Sequence, residues 1–231
     1  MKKLLQATLI ITSIIALCSF TTPTKIANTT PDKHVFLQEG SKAPNFVTKD
    51  VLGNQIKLNK VLKDKNVLIT FLRPAWCPIC NARTHELINS YQEMKEKGIE
   101  VIAIYPSSEE ELQGYVKDMN IPFTVIADPD EELYKLYGVE RSVAKYKRTL
   151  KEKKALEAMK KGQDLYKEND NNYGGLREVQ APIIPADFVI SQAKVIETAH
   201  YGDFIGDHIP VNDIEENLTY DFNLLEDNIR F

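Results

Sequence analysis

The stretch that most narrows the folding options is Val67-Leu68-Ile69-Thr70-Phe71-Leu72, followed at once by Arg73-Pro74-Ala75-Trp76-Cys77-Pro78-Ile79-Cys80. A continuous apolar and β-branched run of this kind reads as a strand covered on both faces, which places it inside a sheet flanked by helices. Beyond the cysteines, Leu87, Ile88, Tyr91 and Met94 recur at helical spacing as far as Gly98, a residue suited to the left-handed position that ends a helix. The local order is therefore strand, cysteine pair, helix.

The alternation continues on either side. Phe46 to Thr48 and Gln55 to Leu58 predict a small hairpin turning at Gly53-Asn54. Glu100 to Tyr105 and Phe123 to Ala127 read as further buried strands, and Ser108-Glu109-Glu110-Glu111 is a capping box opening a helix that runs to about Met119. Asp128-Pro129-Asp130-Glu131 predicts the start of another helix that stops at Gly138, its acids serving as caps and dipole partners rather than as catalysts. Asp187 to Ser191 and Val195 to His200 predict a second hairpin, with a terminal helix around Val211 to Leu218. Ser142 to about Glu168 is long, charged and helical in composition, and Val143, Tyr146, Leu150, Leu156 and Met159 give it only a ragged apolar stripe. It reads as an inserted surface helix or helix pair. Its lysines and arginines also fit a docking surface for an acidic partner or membrane headgroups. The whole is an alternating α/β domain over residues 39–231 with a helical insertion at about 141–175.

At 231 residues and 43% apolar the chain can bury a real core, and a formal net charge of −4 gives it no attraction to nucleic acid. Met1-Lys2-Lys3 followed by the apolar run Leu4 to Leu17 has the form of an export signal and is short for a bilayer span. Residues 1–18 are therefore expected to direct the body out of the cytoplasm, with 19–38 a Thr- and Pro-rich tether. Cys18 stands either at the cleavage site or as a lipid acceptor tethering the chain to a membrane, the further alternative being that the apolar run stays as an uncleaved anchor.

The chemistry lies at Cys77 and Cys80. Two cysteines one helical turn apart can close a disulfide, and the first, at the helix end, is expected to project toward solvent as the attacking thiol. The helix dipole and unpaired N–H groups favour its thiolate, while Cys80, one turn in, resolves the mixed disulfide. Zinc would need two more ligands, and His34, His85, His200 and His208 lack the spacing to supply them. A structural disulfide closing so short a loop would restrain the unfolded chain little. Redox work without metal or organic cofactor is the remaining reading, with Trp76 offering a flat apolar surface beside the nucleophile.

These residues resemble the alkyl hydroperoxide reductase and thiol-specific antioxidant family of the thioredoxin superfamily. The resemblance runs from about Gly40 to Leu218 through Glu39-Gly40-Ser41-Lys42-Ala43-Pro44-Asn45-Phe46, the Trp-Cys-Pro-Ile-Cys-Asn segment, Ile121 to Pro129 and Ile184 to Ile190. It implies a thioredoxin-like three-layer α/β/α sandwich with a mixed central sheet. Peroxide-binding members carry a Thr or Ser and an Arg where this chain has Pro74 and Pro185. Neither proline offers even a backbone N–H, though Arg73 is close enough in sequence to supply donors. Pro185, by the same resemblance, enters its strand as a cis-proline would and completes a substrate groove with Trp76 and Arg73. The acid that thioredoxins keep on the strand before the cysteines is missing from Ile69 to Leu72, leaving Glu86 and Asp187 as candidate proton acceptors. The expected function is thiol-disulfide exchange with a disulfide-containing protein, serviced by a thiol reductant. A thiol-dependent peroxidase acting on hydroperoxides is the alternative, and a non-enzymatic binding protein using Ser142 to Lys161 is a reading from another class.

Overall fold

In the computed structural model, residues 35–168 and 181–214 are described, the side chains of 166–168 excepted. The expected export signal, Cys18, most of the tether, the loop at 169–175 and the end of the terminal helix lie outside the described residues. Where that helix was expected to begin, Val211–Asp213 forms one 3-10 turn. Among the described residues no helix is long and apolar enough to cross a membrane.

The first hairpin forms as expected: β1 (Val47–Lys49) pairs antiparallel with β2 (Gln55–Lys57). Leu58, expected in the strand, instead opens the single-turn helix α1 (Leu58–Val61), which buries its side chain completely. β3 (Asn66–Phe71) leads to α2 (Pro78–Glu96), and β4 (Ile99–Tyr105), α3 (Glu109–Met119) and β5 (Thr124–Ala127) follow. Gly98 has φ +74°, the left-handed conformation needed to leave α2 and enter β4. The Ser108 hydroxyl accepts the Glu111 N–H at 3.3 Å and so caps α3.

α4 (Glu132–Leu136) starts later than Asp128-Pro129 predicts. Glu131 takes a left-handed φ of 56°, and the Asp128 carboxylate reaches forward to accept the N–H groups of Glu132, Leu133 and Tyr134 at 3.1, 2.8 and 3.2 Å. The cap is the expected acid, acting from one turn further out. α5 (Val143–Thr149) and α6 (Lys153–Glu168) then precede β6 (Ala186–Ile190) and β7 (Ile196–Tyr201).

The central sheet is mixed, in the order β5-β4-β3-β6-β7, with β3, β4 and β5 parallel and β6 antiparallel to both its neighbours. Strand alternation sends successive residues of β3 to opposite layers. Leu68 joins Leu87, Tyr91, Met94, Leu112 and Tyr115 of α2 and α3. Val67, Ile69 and Phe71 join Leu58, Tyr134, Tyr137 and Phe188 on the other side. In that second layer Phe71 lies 5.0 Å from Tyr134, 5.3 Å from Tyr137 and 5.9 Å from Phe188, centroid to centroid. The result is a thioredoxin-like three-layer α/β/α sandwich.

The insertion is the expected helix pair, and it is bound to the body of the domain. Its base is stitched to the chain that leads into β6: Ser142 N–H donates to Pro182 O at 2.9 Å and Ile184 N–H to Glu140 O at 2.9 Å. Lys145 donates to Gly202 O at 2.8 Å, and Ile205 N–H donates to the Thr149 hydroxyl at 2.9 Å. α6 lies against α2 along Ala155, Ala158 and Gly162, spaced as one helical face. Gly162 makes the closest approach, since a Cβ there would overlap the carbonyl of Pro78. Alanine ordinarily stabilises a helix interior over glycine by about 1 kcal/mol. Gly162→Ala is expected to do the reverse, costing roughly 1–3 kcal/mol through overpacking against Pro78. A thermal melt with a lower Tm checks it, and an unchanged or higher Tm contradicts this packing.

Candidate active site

Sheet and aromatic layer together hold the loop that leads to Cys77. The Tyr134 hydroxyl lies 2.6 Å from Leu72 O and 2.8 Å from Ile104 O, sharing its proton between the carbonyls at the ends of β3 and β4. Beyond Leu72 the chain turns, with Cys77 N–H donating to Pro74 O at 2.9 Å and Ala75 N–H donating to the Ser107 hydroxyl at 3.3 Å. Asn81, buried on α2, closes the loop from the other side. Its amide donates to Ala75 O at 3.1 Å, and its carbonyl oxygen accepts the Tyr115 hydroxyl. The asparagine following the cysteine pair is thus a loop anchor.

Cys77 is the N-cap of α2 and Pro78 its first residue. Both cysteines are free thiols. Cys77 retains only 1% of its surface, contrary to the expectation that it projects into solvent, and shares a cavity with residues of the insertion. Its pKa is lowered to about 6: the Cys80 thiol hydrogen-bonds the sulfur, and this effect, with Arg73 and the backbone N–H groups of Cys80 and Ile79, outweighs burial. Arg73 Nη1 donates to Cys77 Sγ at 3.4 Å, while the guanidinium carbon lies 5.8 Å from the centre of the Trp76 ring. Cys80 moves the other way, raised well above an ordinary thiol by desolvation and then by its hydrogen bond to Cys77 and the charge there. The pair is polarised into one thiolate and one thiol.

Arg73, Trp76 and Cys77 line one cavity of about 630 Å³ with Ile79, Val143, Tyr146, Leu150 and Met159 among its other walls. Pro185 is not among them. It is buried, its peptide bond is trans, and its carbonyl accepts the Gly202 N–H at 2.9 Å. The proline at the cavity is Pro182. Pairing of a substrate strand with Pro185 is accordingly blocked by the chain's own Gly202.

Residues 40–199 match the model of the AhpC/TSA family. The chain belongs to that family. Over 104 residues it is 33% identical to the thiol-disulfide oxidoreductase ResA of Bacillus subtilis (strain 168), covering 45% of this chain and 57% of ResA. Over 101 residues it is 32% identical to the chloroplastic peroxiredoxin Q of Sedum lineare, covering 44% of this chain and 54% of that one. The chain thus spans little more than half the length of these relatives. The crystal structure of peroxidoxin BcpB from Mycobacterium tuberculosis shares the fold, with a TM-score of 0.57 at 15% identity over 78% of this chain and 96% of that one.

A buried charge cluster beside the AhpC/TSA cysteine helix was not foreseen in full. Asp187, opposite Thr70 in the sheet register, accepts the Thr70 hydroxyl at 2.6 Å and the Ile209 N–H at 2.9 Å. Arg83 Nη2 lies 3.4 Å from its carboxylate and His208 Nδ1 3.0 Å. Burial opposes this charge, yet His208 and Arg83 outweigh it and hold the carboxyl far below the usual range. Asp187 therefore locks α2 to β6 and to the 208–209 segment, and among the described residues it makes no hydrogen bond to Cys80. Glu86 sits at the half-exposed surface 3.6 Å from Arg83, and His85 pairs with Asn89 at 3.0 Å. The proton-acceptor role expected of Asp187 or Glu86 finds no contact to support it. A signal for the cluster was present, since Arg83 falls on the same helical face as Cys80, Leu87, Tyr91 and Met94 and needs a buried acid there.

Iodoacetamide labelling of the reduced protein against pH is expected to show a midpoint near 6 for Cys77. Cys80→Ala moves that midpoint up more than Arg73→Ala does, following the order of the two contributions. Asp187→Asn leaves the buried Arg83 without its counter-charge and is expected to cost about 3–5 kcal/mol in urea unfolding. Because the folded pKa is depressed, the Asp187 contribution is complete above the unfolded value of about 3.9 and is lost as pH falls through the folded one.

Proposed function

We propose that the chain is a thiol-disulfide oxidoreductase in which Cys77 is the nucleophile and Cys80 the resolving thiol. The observation that carries this reading is the opposite polarisation of two cysteines one turn apart: a thiolate at the helix end and a protonated partner donating to it. Relatedness to a thiol-disulfide oxidoreductase over the alignment with ResA supports it. In the reaction Cys77 Sγ attacks a disulfide and releases one substrate thiolate. Cys80 then loses its proton and attacks Cys77 Sγ, releasing the second and leaving the protein disulfide, which an external thiol reductant reverses.

Part of the insertion's basic face is paired within the chain, while Lys147, Lys151, Lys154 and Lys160 remain exposed. Lys145 pairs with Glu140 at 2.6 Å, Arg148 with Asp203 at 3.2 Å and Lys161 with Glu86 at 3.9 Å. On the reading of residues 1–18 as an export signal, the protein works outside the cytoplasm. A second reading is a thiol peroxidase in which Cys77 attacks a hydroperoxide. It is favoured by the Arg73 donor 3.4 Å from the sulfur, a fork able to meet charge on a departing oxygen.

Cys77→Ser is expected to abolish turnover with disulfides, and Cys80→Ser to accumulate mixed disulfides at Cys77 that mass spectrometry detects. Full activity in either variant sinks the reading. Stopped-flow emission from Trp76 separates the two substrates: exchange predicts a fast change with a disulfide and, with hydrogen peroxide, a rate no better than a free thiol.

A further inference from the structure

The exchange reading leaves open what carries the substrate disulfide, and the insertion bears on this directly. Cys77 lies at the floor of the cavity beneath two helices, each fixed by contacts that have nothing to do with a ligand. α5 is held by Lys145 to Gly202 and by Thr149 to Ile205, and α6 by its small-residue face on α2. A folded protein presents its surface disulfide on a broad convex body, which these helices keep away from the sulfur. A slender group can enter.

The walls define that group. Val143 and Tyr146 of α5 and Leu150 at its C-cap, three and four residues apart, share one face and remain 49%, 37% and 52% exposed although they are apolar. Such side chains gain free energy when a ligand removes them from water. Trp76 and Met159 are further apolar walls. Arg73 is the one charged residue of the lining among the described residues, and its Nη1 is engaged with the Cys77 sulfur. A volume of about 630 Å³ is in the range of small-molecule sites.

Resting on the exchange reading, we propose that the α5–α6 insertion makes the site selective for low-molecular-weight disulfides borne on unbranched apolar groups, and excludes disulfides on folded proteins. One substrate sulfur bonds to Cys77 while the S–S bond breaks and the other leaves as thiolate. Attack by Cys80 releases the first, so the dithiol gives up two electrons and two protons and the substrate departs as two thiols.

The test uses the full reduced chain, followed through Trp76 in single turnovers with dimethyl, diethyl, dipropyl and dibutyl disulfides, with 2-hydroxyethyl disulfide and with insulin. The expected rate constant rises by roughly fourfold per methylene contacting the walls, with insulin and the hydroxyethyl compound well below dibutyl disulfide. Tyr146→Asp and Leu150→Asp, at positions already partly exposed, are expected to flatten the series. A rate independent of chain length, insulin reacting as fast as dibutyl disulfide, or a full slope retained in both variants overturns the proposal while leaving the exchange reading standing. Oxidation of the pair by hydroperoxide and by no disulfide overturns the exchange reading, and the proposal with it.

Discussion

A charged sulfur shut away from water is costly unless its charge is met locally, and much of this structure follows from meeting it. Cys77 has three sources of compensation, each from a different level of organisation. The Cys80 thiol comes from helical periodicity, the N–H groups of Ile79 and Cys80 from the start of α2, and the Arg73 fork from the loop leaving β3. All three depend on the loop between Leu72 and Cys77 being held still. That task falls to residues with no part in the chemistry: Tyr134 on the strand-end carbonyls, Ser107 on the Ala75 N–H and Asn81 on the Ala75 carbonyl.

The same constraint explains the buried cluster below. α2 must keep its N-terminus at the end of β3, and a pair of helix and sheet surfaces joined only by apolar contacts can slide. Asp187 receives partners from β3, α2 and the 208–209 segment at once. Its burial makes the arrangement demanding, because every member must be present for the charge to be tolerated. Among the described residues this cluster makes no hydrogen bond to Cys80, whose desolvated thiol is bonded to Cys77 instead, with Thr84 and Tyr105 bonded to each other at 2.8 Å nearby.

Much of the fold was legible because the signals are local and periodic. The two-sided burial of β3, the stripe on α2, the capping serine before α3 and both hairpins follow from side chains within a few residues of one another. The helix after Asp128 was displaced because an Asp can cap from four residues away when an intervening residue turns left-handed, a geometry that no cap pattern encodes. Cys77, Cys80, Arg73 and Trp76 come together as their proximity in sequence requires. Pro185 does not join them, because its place was inferred from likeness alone and the segment after β7 occupies its carbonyl. The roof was the least legible part. The positions that decide it, Ala155, Ala158 and Gly162, are small residues that give little hydropathic signal and matter only once α2 lies beside them.

The Arg73 contact with Cys77 also makes the site's electrostatics depend on its redox state. With the pair reduced, guanidinium and thiolate neutralise each other at the cavity floor. Once Cys77 and Cys80 are joined, the thiolate charge is gone, so the potential in the same cavity shifts toward positive. Potential of that sign draws anions, and the species that must arrive next, a reducing thiolate, is an anion. On the exchange reading, the reduced cavity meets an uncharged substrate, and the oxidised one, less negative at its floor, meets an anionic reductant.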